Sequence, residues 1–92
     1  MSNDLNDLWY CPENVRESLE RYRDHHIPTG GFLEAVLSND LREAISRADD
    51  TNIRHIPGIV RWIYWKMPSP AWGSPEAFTG WVTGFHAIKP GA

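Results

Sequence analysis

The sequence predicts an all-α fold, a small bundle of about four helices in one compact domain that spans residues 1–92. Three observations predict this class. Apolar side chains recur every three or four residues through most of the chain, which is the period of an amphipathic helix. No segment shows the polar and apolar alternation of a strand, and we find no internal repeat. A chain of 92 residues also suits one domain rather than two.

Residues 1–11 are predicted to be a lead-in segment before the first helix. The segment is polar apart from four apolar anchors, which are Leu5, Leu8, Trp9 and Tyr10. Pro12 suits the first position of a helix, where an N–H has no intrahelical acceptor. The helix continues to about His26, since four residues recur at helical spacing: Val15, Leu19, Tyr22 and His26. Ile27 precedes Pro28 and is pushed out of helical geometry, which ends the helix.

The second helix is predicted from about Gly31 to Ala48. Seven apolar side chains form one stripe along it, namely Leu33, Val36, Leu37, Leu41, Ala44, Ile45 and Ala48. Asp40 lies close to this stripe, and a carboxylate near a core needs a partner. We therefore expect Asp40 either to pair with Arg47 or to cap a neighbouring element. The cluster Asp49-Asp50-Thr51-Asn52 is predicted to be a turn.

The third helix is predicted from an apolar face that consists of Ile56, Val60, Ile63 and Met67. It begins either at a cap on Thr51 or Asn52, in which case Pro57 lies inside the pattern and costs a hydrogen bond, or at Pro57 itself, or it kinks there. Three residues of this helix lie outside the apolar face, namely Trp62, Trp65 and Lys66. Their positions predict a tryptophan ridge that is either a second packing face or an oligomer contact.

The last helix has a clear start signal in Ser74-Pro75-Glu76. Ser74 is the predicted N-cap, Pro75 the first helical residue and Glu76 an acid in the first turn. The buried face is predicted to consist of Phe78, Trp81, Val82 and Phe85. Gly80 and Gly84 indicate either a close approach by another helix or fraying.

Composition excludes several classes of protein. The formal net charge is −3 and the sequence pI is near 5.7, which argues against a binder of long nucleic acid. Cys11 is the single cysteine, so an internal disulfide is excluded, and the first residues do not resemble a signal peptide. No apolar run is long enough to span a bilayer. We expect a soluble intracellular protein that does not associate with a membrane and needs no cofactor.

The aromatic content predicts self-association. Five tryptophans, three tyrosines and three phenylalanines are more than a domain of this size can fully bury. Exposed aromatic rings tend to serve an interface or a planar ligand. A small domain is also marginally stable alone, so we expect a homo-oligomer.

The segment Ile27-Pro28-Thr29-Gly30-Gly31-Phe32 ends one helix and opens the next. Thr29 is a candidate N-cap, and the first amides of the following helix have no intrahelical acceptors. Together with the helix dipole they form a candidate seat for a phosphate or carboxylate. The alternative is a tight turn between helices, since Pro and Gly punctuate ordinary turns more often than they bind ligands.

The chain shows no catalytic or metal-binding motif, so we do not expect an enzyme. His25 and His26 are adjacent and point in different directions on a helix, and His55 and His86 are scattered. This spacing does not suit a metal site beside the single Cys11. The Gly-Gly pair lacks the lysine and spacing of a P-loop, and no serine has a nucleophile-elbow context.

Two sequence blocks carry a resemblance to a group of known proteins. The first block is Ile27 to Leu41 (IPTGGFLEAVLSNDL) and the second is Trp72 to Glu76 (WGSPE), with Arg47-Ala48-Asp49, Ile59-Val60, Tyr64 and Pro68 between them. Over about residues 20–82 the chain resembles a widespread set of small phage and prophage proteins. Pro57-Gly58 departs from that set, where a continuous helix is expected.

Small acidic phage proteins without a catalytic motif are often anti-defence factors, which act in the host cytoplasm. The resemblance therefore implies a sponge, a homo-oligomer that sequesters a cyclic nucleotide immune signal of the CBASS or Thoeris kind. A sponge needs phosphate donors and flat groups for the bases. The candidate phosphate ligands are Thr29, Gly30, Gly31, Arg42, Arg47, Arg54 and Lys66. The candidate stacking residues are Trp62, Tyr64 and Trp72.

The alternative is a protein-binding inhibitor of a defence complex, of the anti-CRISPR type. Its carboxylates would mimic phosphates, and the candidates are Asp4, Asp7, Glu13, Glu17, Glu20, Asp24, Glu43, Asp49 and Asp50. A net charge of −3 is weak for such mimicry, and basic residues are interleaved with the acids of the first helix. A structural or regulatory phage protein is the third interpretation.

Overall fold

The computed structural model describes residues 9–84, and this part of the chain contains α-helices and no strand. The helices are α1 (Glu13–His25), α2 (Gly31–Leu37), α3 (Leu41–Arg47), α4 (Asp50–Arg54), α5 (Ile56–Lys66) and α6 (Pro75–Thr83), with a short 3-10 helix at Ser69–Ala71. The prediction of an all-α fold in one compact domain is confirmed. The helix count is wrong, since the described residues form six α-helices rather than about four.

The predicted second helix is two helices, because the chain turns sharply after Leu37. Asn39 has a left-handed backbone with φ of 62°, which interrupts the helix. Asp40 then caps α3 by accepting a hydrogen bond from the Glu43 N–H at 3.2 Å. The capping alternative for Asp40 is thus confirmed, and Arg47 pairs with Glu43 instead, at 2.8 Å. The turn also explains why Leu41 is 69% exposed and Ile45 47%, although we predicted both in the core.

The predicted turn at residues 49–52 is the start of a helix. Asp49 accepts a hydrogen bond from the Asn52 N–H at 2.7 Å and caps α4. After one short helix the chain continues directly into α5, which begins at Ile56 with Pro57 in its first turn. Of the alternatives left open for the start of the third predicted helix, the start at Pro57 is the one that the structure shows, to within one residue.

The core is one apolar cluster to which every helix except the short α4 contributes. Its buried members are Val15, Leu19, Tyr22, Phe32, Leu33, Ala35, Leu37, Ala44, Ile59, Ile63, Met67, Ala71, Phe78 and Trp81. The face predicted for α1 is confirmed. On α5, Ile59 is fully buried while Val60 is 38% exposed, so the buried face is rotated from the one we predicted.

The contact between α1 and α6 is built from buried aromatic rings. The Tyr22 ring stacks on Phe78 at 5.2 Å, and its hydroxyl donates to the Ala71 carbonyl oxygen at 2.7 Å. Trp81 Nε1 donates to the Tyr22 carbonyl oxygen at 2.8 Å. Burial raises the pKa of the Tyr22 hydroxyl well above its ordinary value. The two polar aromatic side chains thus tie three chain segments together.

The predicted start of the last helix is confirmed. Ser74 accepts a hydrogen bond from the Ala77 N–H at 3.0 Å, and Pro75 is the first residue of α6. Gly84 ends α6 in a left-handed conformation with φ of 81°, the usual place for a glycine after a helix. A Cβ atom on Gly80 would have no atom within 4 Å, so no helix of the described part approaches there. Leu5, Leu8 and Phe85 lie outside the described residues.

Candidate functional site

Residues 9–11, which we call the strap, cross α5 at Gly58. A Cβ atom on Gly58 would lie 2.6 Å from the Tyr10 carbonyl carbon and would also overlap the Tyr10 carbonyl oxygen. Glycine is therefore required for the backbones to approach so closely. The Arg61 guanidinium lies over the Trp9 ring, 4.5 Å from its centroid, and the Tyr10 ring meets His55 edge-on at 5.3 Å. The strap is held to α5 by a backbone contact and two ring contacts.

The strap, α1 and α5 enclose an open cleft of about 350 Å³, which we call the tryptophan cleft. Its lining residues are Trp9, Tyr10, Cys11, Arg16, Gly58, Arg61, Trp62, Trp65 and Lys66. Three of these residues are tryptophans, three are cations and none is acidic. The α5 members share one helix face, because they are spaced by three or four positions. Aromatic and cationic side chains are thus concentrated on one surface.

The cations of the tryptophan cleft are only partly neutralised. Arg16 lies 3.9 Å from both Glu13 and Glu20, which is within ion-pair range but too long for a hydrogen bond. Within residues 9–84, no carboxylate forms an ion pair with Arg61 or Lys66. The cleft therefore carries local positive charge in a chain whose formal net charge is −3. Such a site attracts an anion without making the whole protein basic.

The rings of the cleft differ in exposure. Trp65 is 70% exposed and Trp9 is 47% exposed, whereas Trp62 is partly buried against the core. Arg23 of α1 lies over the Trp62 ring at 5.5 Å from its centroid, which helps to fix that ring. Exposed indole faces beside cations can stack on a planar group while the cations bind its phosphate. The cleft has the chemistry for a phosphorylated planar ligand.

Cys11 is a partly buried lining residue of the cleft and is not an activated nucleophile. Burial raises the pKa of its thiol to about 11, and the nearby Arg16 only partly opposes this effect. The thiol is therefore protonated at neutral pH, and the thiolate is the reactive form. Cys11 thus acts as a small apolar wall residue rather than as a catalytic group.

The predicted anion seat at Thr29-Gly30-Gly31 has acidic surroundings. Gly30 rather than Thr29 is the N-cap of α2, and the Thr29 hydroxyl donates instead to the Gly30 carbonyl oxygen at 3.1 Å. Arg47 does lie against Gly31, since a Cβ there would be 2.8 Å from Arg47 Nη1. Both line a second cleft of about 390 Å³, the acidic cleft, together with Glu34, Ala35, Ser38, Asp40, Glu43 and Pro75. Three carboxylates against one arginine disfavour a phosphate there.

The other predicted ligand residues are spread over the molecule. Trp62 and Lys66 lie together in the tryptophan cleft. Tyr64 lines a separate apolar groove, and Trp72 lines another. Arg42 and Arg54 are exposed and line none of these clefts. The structure therefore does not bring the ten predicted residues together into one site.

Of the nine residues that line the tryptophan cleft, the sequence predicted only Trp62 and Lys66 as ligand residues. The seven that it missed include the indole and cationic side chains of Trp9, Arg16, Arg61 and Trp65. The spacing of Gly58, Arg61, Trp62, Trp65 and Lys66 places all five on one helix face, and that signal was present in the sequence. The contributions of Arg16 and the strap depend on how α1 and the strap dock on α5, which no local pattern reveals.

Comparison of the chain with protein-family models, with curated proteins and with solved structures finds no match. In the part of the chain that the structure describes, no group of three or more potential ligands is arranged to hold a metal ion. None of the helices described between residues 9 and 84 is long and apolar enough to cross a membrane. What the protein binds is therefore inferred from the geometry of the tryptophan cleft.

Proposed function

We propose that this protein binds a small phosphorylated planar ligand in the tryptophan cleft. The observation that carries the proposal is the concentration of three tryptophans and three cations in one cleft without an acidic lining residue. Among ligands of this chemistry we favour a cyclic nucleotide immune signal. The protein then acts as a phage anti-defence sponge in the host cytoplasm, as the sequence resemblance implies.

The cleft residues are expected to bind different parts of the ligand: the tryptophans the base, and the cations the phosphate. Trp65 and Trp9 offer exposed ring faces on which a base can stack, each such contact contributing about 1–3 kcal/mol. Arg16 and Lys66 lie on opposite helices of the cleft and supply cations for phosphate. Arg61 both supports the Trp9 ring and presents its remaining N–H donors to the cleft.

The size of the cleft supports a homo-oligomeric sponge. About 350 Å³ is near the lower end of the range for ligand sites and suits one nucleotide unit. A cyclic di- or trinucleotide extends beyond one such cleft. Two or more subunits that each hold one unit would enclose the whole ligand, and sequestration requires that enclosure.

The test is the melting temperature measured against a panel of cyclic di- and trinucleotides and cyclic ADP-ribose isomers. A ligand at one hundred times its Kd adds about 2.7 kcal/mol to the free energy of unfolding. We expect one class of signal to raise the melting temperature of the wild-type protein. Lys66→Ala and Trp65→Ala should reduce that shift strongly, because each removes a cleft contact.

The matched controls are Arg42→Ala and Arg54→Ala, which remove exposed cations outside the cleft. They should bind as the wild type does. A flat panel for the wild-type protein contradicts the proposal and favours a protein target, to be sought by pull-down. The opposite pattern is binding that is lost in Arg42→Ala or Trp72→Ala and kept in Lys66→Ala. That result contradicts a ligand site in the tryptophan cleft and supports a site at the residues predicted from the sequence.

The alternative of an inhibitor with a phosphate-like acidic face has less support. On α1, Glu13 and Glu20 both lie within ion-pair range of Arg16, and Asp24 pairs with Arg23 at 2.8 Å. These pairs reduce the single-sign field that mimicry of nucleic acid requires. The anti-CRISPR hypothesis stays a prediction that the same pull-down addresses.

A further inference from the structure

The C-terminal end of α5 carries three of the residues that line the tryptophan cleft, namely Trp62, Trp65 and Lys66. The ends of helices fray, because the last four carbonyl groups have no intrahelical donor. Ile63 and Met67 anchor the inner side of this end in the core, but Trp65 and Lys66 are exposed. The shape of the cleft therefore depends on what holds the outer side of this helix end.

Arg23 of α1 makes two contacts with this end of α5, although it is not a lining residue of the cleft. Its guanidinium lies over the Trp62 ring, 5.5 Å from the ring centroid. Its Nη1 donates a long hydrogen bond of 3.4 Å to the Lys66 carbonyl oxygen. A cation at the C-terminus of a helix also interacts favourably with the helix dipole. One side chain thus ties both a cleft ring and the last carbonyl group of α5 to α1.

Asp24 fixes the direction of the Arg23 guanidinium. Its carboxylate accepts two hydrogen bonds, from Arg23 Nε at 2.8 Å and from Arg23 Nη2 at 3.0 Å, and such a bidentate pair has a defined geometry. These bonds hold the pKa of the Asp24 carboxyl below its ordinary value, so the pair is intact at neutral pH. Every nitrogen of the Arg23 guanidinium therefore has an acceptor within the protein.

We propose that Arg23, oriented by Asp24, is a positioning residue of the tryptophan cleft. It holds the Trp62 ring and the end of α5 in the arrangement that a ligand meets, and it acts through these groups without touching the ligand. A site that is ordered in advance loses less conformational freedom on binding, which raises affinity. The inference rests on the proposed function, because only a ligand in the cleft converts this support into affinity.

The first test uses the protein without ligand. Arg23→Ala removes both contacts with α5, and circular dichroism shows whether the variant is folded. We expect ¹⁵N relaxation to give lower order parameters for the Trp62 indole N–H and the Lys66 amide, because their fast motion increases. A loss of global stability alone does not change these values while the protein stays folded. Unchanged order parameters in Arg23→Ala overturn the proposal.

Arg21→Ala is the matched control, since it removes an exposed cation from the same helix. Both order parameters should keep their wild-type values in this variant. An equal fall in Arg21→Ala and Arg23→Ala overturns the proposal, because the effect is then not specific to the contacts of Arg23.

The second test is the Kd of AMP, a probe chosen because the cleft suits one nucleotide unit. We expect Arg23→Ala to raise this Kd about tenfold, since the loosened side chains must be ordered again on binding. Arg21→Ala should bind AMP as the wild type does, and an equal loss in both variants overturns the positioning role in favour of long-range attraction. A wild-type protein that does not bind AMP contradicts the proposed function. Unchanged order parameters contradict the role of Arg23, so the two failures are distinguishable.

Asp24→Ala separates positioning from charge by the sign of its effect. Loss of a carboxylate makes the surroundings of the cleft more positive, so charge alone predicts a lower Kd for AMP. Positioning predicts a higher Kd and a lower Trp62 order parameter, because the Arg23 guanidinium is no longer oriented. Asp24 is exposed, so this variant should fold even where Arg23→Ala does not.

Glu17→Ala is the control for Asp24→Ala, since it removes an exposed carboxylate elsewhere on α1. Its Kd for AMP should equal that of the wild type or lie below it. A Kd that falls in Asp24→Ala as it does in Glu17→Ala overturns the proposal.

Discussion

Two regions of this molecule are rich in aromatic side chains and use them in opposite ways. Between α1 and α6, Tyr22 and Trp81 are buried, and each gives its polar hydrogen to a backbone carbonyl. On the outside of α5, Tyr64 and Trp65 are 65% and 70% exposed, and their rings meet edge-on at 5.2 Å. Residue type is the same in both regions. The comparison teaches that the available acceptors and neighbours decide whether an aromatic ring is buried and stabilises the fold or stays exposed at the surface.

The largest expected difference between the regions is in the free energy of unfolding. Trp81→Ala should lower it by about 3–5 kcal/mol, because the substitution leaves a cavity and removes the bond to the Tyr22 carbonyl oxygen. Trp65→Ala should change it by less than about 0.5 kcal/mol, since that ring is mostly in water. Urea denaturation followed by circular dichroism measures both. Equal losses would mean that the outer ring is also structural.

The strap should respond to a single methyl group on α5. Gly58→Ala places a Cβ against the Tyr10 carbonyl group, so the strap must shift, and we expect a loss of about 1–3 kcal/mol. Gly80→Ala is the control. Its Cβ has no neighbour within 4 Å, and it should raise stability by about 0.5–1 kcal/mol through helix propensity.

Urea denaturation gives these stabilities, and the indole N–H resonance of Trp9 reports the position of the strap. The resonance should move in Gly58→Ala and stay in place in Gly80→Ala. If Gly58→Ala is as stable as the wild type with an unmoved Trp9 signal, the close crossing of the strap over α5 is wrong.

A smaller effect is expected from one hydroxyl group. Tyr22→Phe keeps the ring stacked on Phe78 but leaves the Ala71 carbonyl oxygen without its donor. The expected loss is about 1 kcal/mol or somewhat more, because the acceptor is buried. Tyr64→Phe removes a hydroxyl from an exposed ring and should be neutral. Chemical denaturation of the two variants in parallel decides the matter, and a neutral Tyr22→Phe would contradict the structural role of the bond.

The last effect is absent at neutral pH and appears only at alkaline pH. Burial raises the pKa of the Cys11 thiol from about 9 to about 11, so the folded state favours the neutral form. The resulting stability is fully present below about pH 9 and is lost as the pH rises towards 11. Cys11→Ala should therefore show a shallower fall in unfolding free energy across this range. Tyr22, whose pKa is also raised, leaves part of the fall in place. Identical pH profiles for both proteins would contradict the burial of the thiol.

The local signals of the sequence were sufficient where the answer lies within a few residues. The face of α1 and the Ser74-Pro75 start of α6 depend on neighbours in the chain, and both are confirmed. For Asp40 the sequence left an ion pair and a cap open, and the structure shows the cap. The break after Leu37 was missed, because the apolar stripe continues past it while Asn39 adopts a left-handed backbone. Periodicity reports which residues are apolar, but it does not report where the backbone turns.

The sequence by itself determined that this protein is a small all-α domain with more aromatic side chains than a domain of this size can fully bury. It also placed Trp62 and Lys66 beside each other on one helix face. Only the tertiary structure decided that the strap and Arg16 complete a cleft there, and that Gly31 lines a cleft with three carboxylates. The physical reason is range: helical periodicity and caps act between residues a few positions apart, whereas a binding cleft is made by segments that meet only when the core is packed.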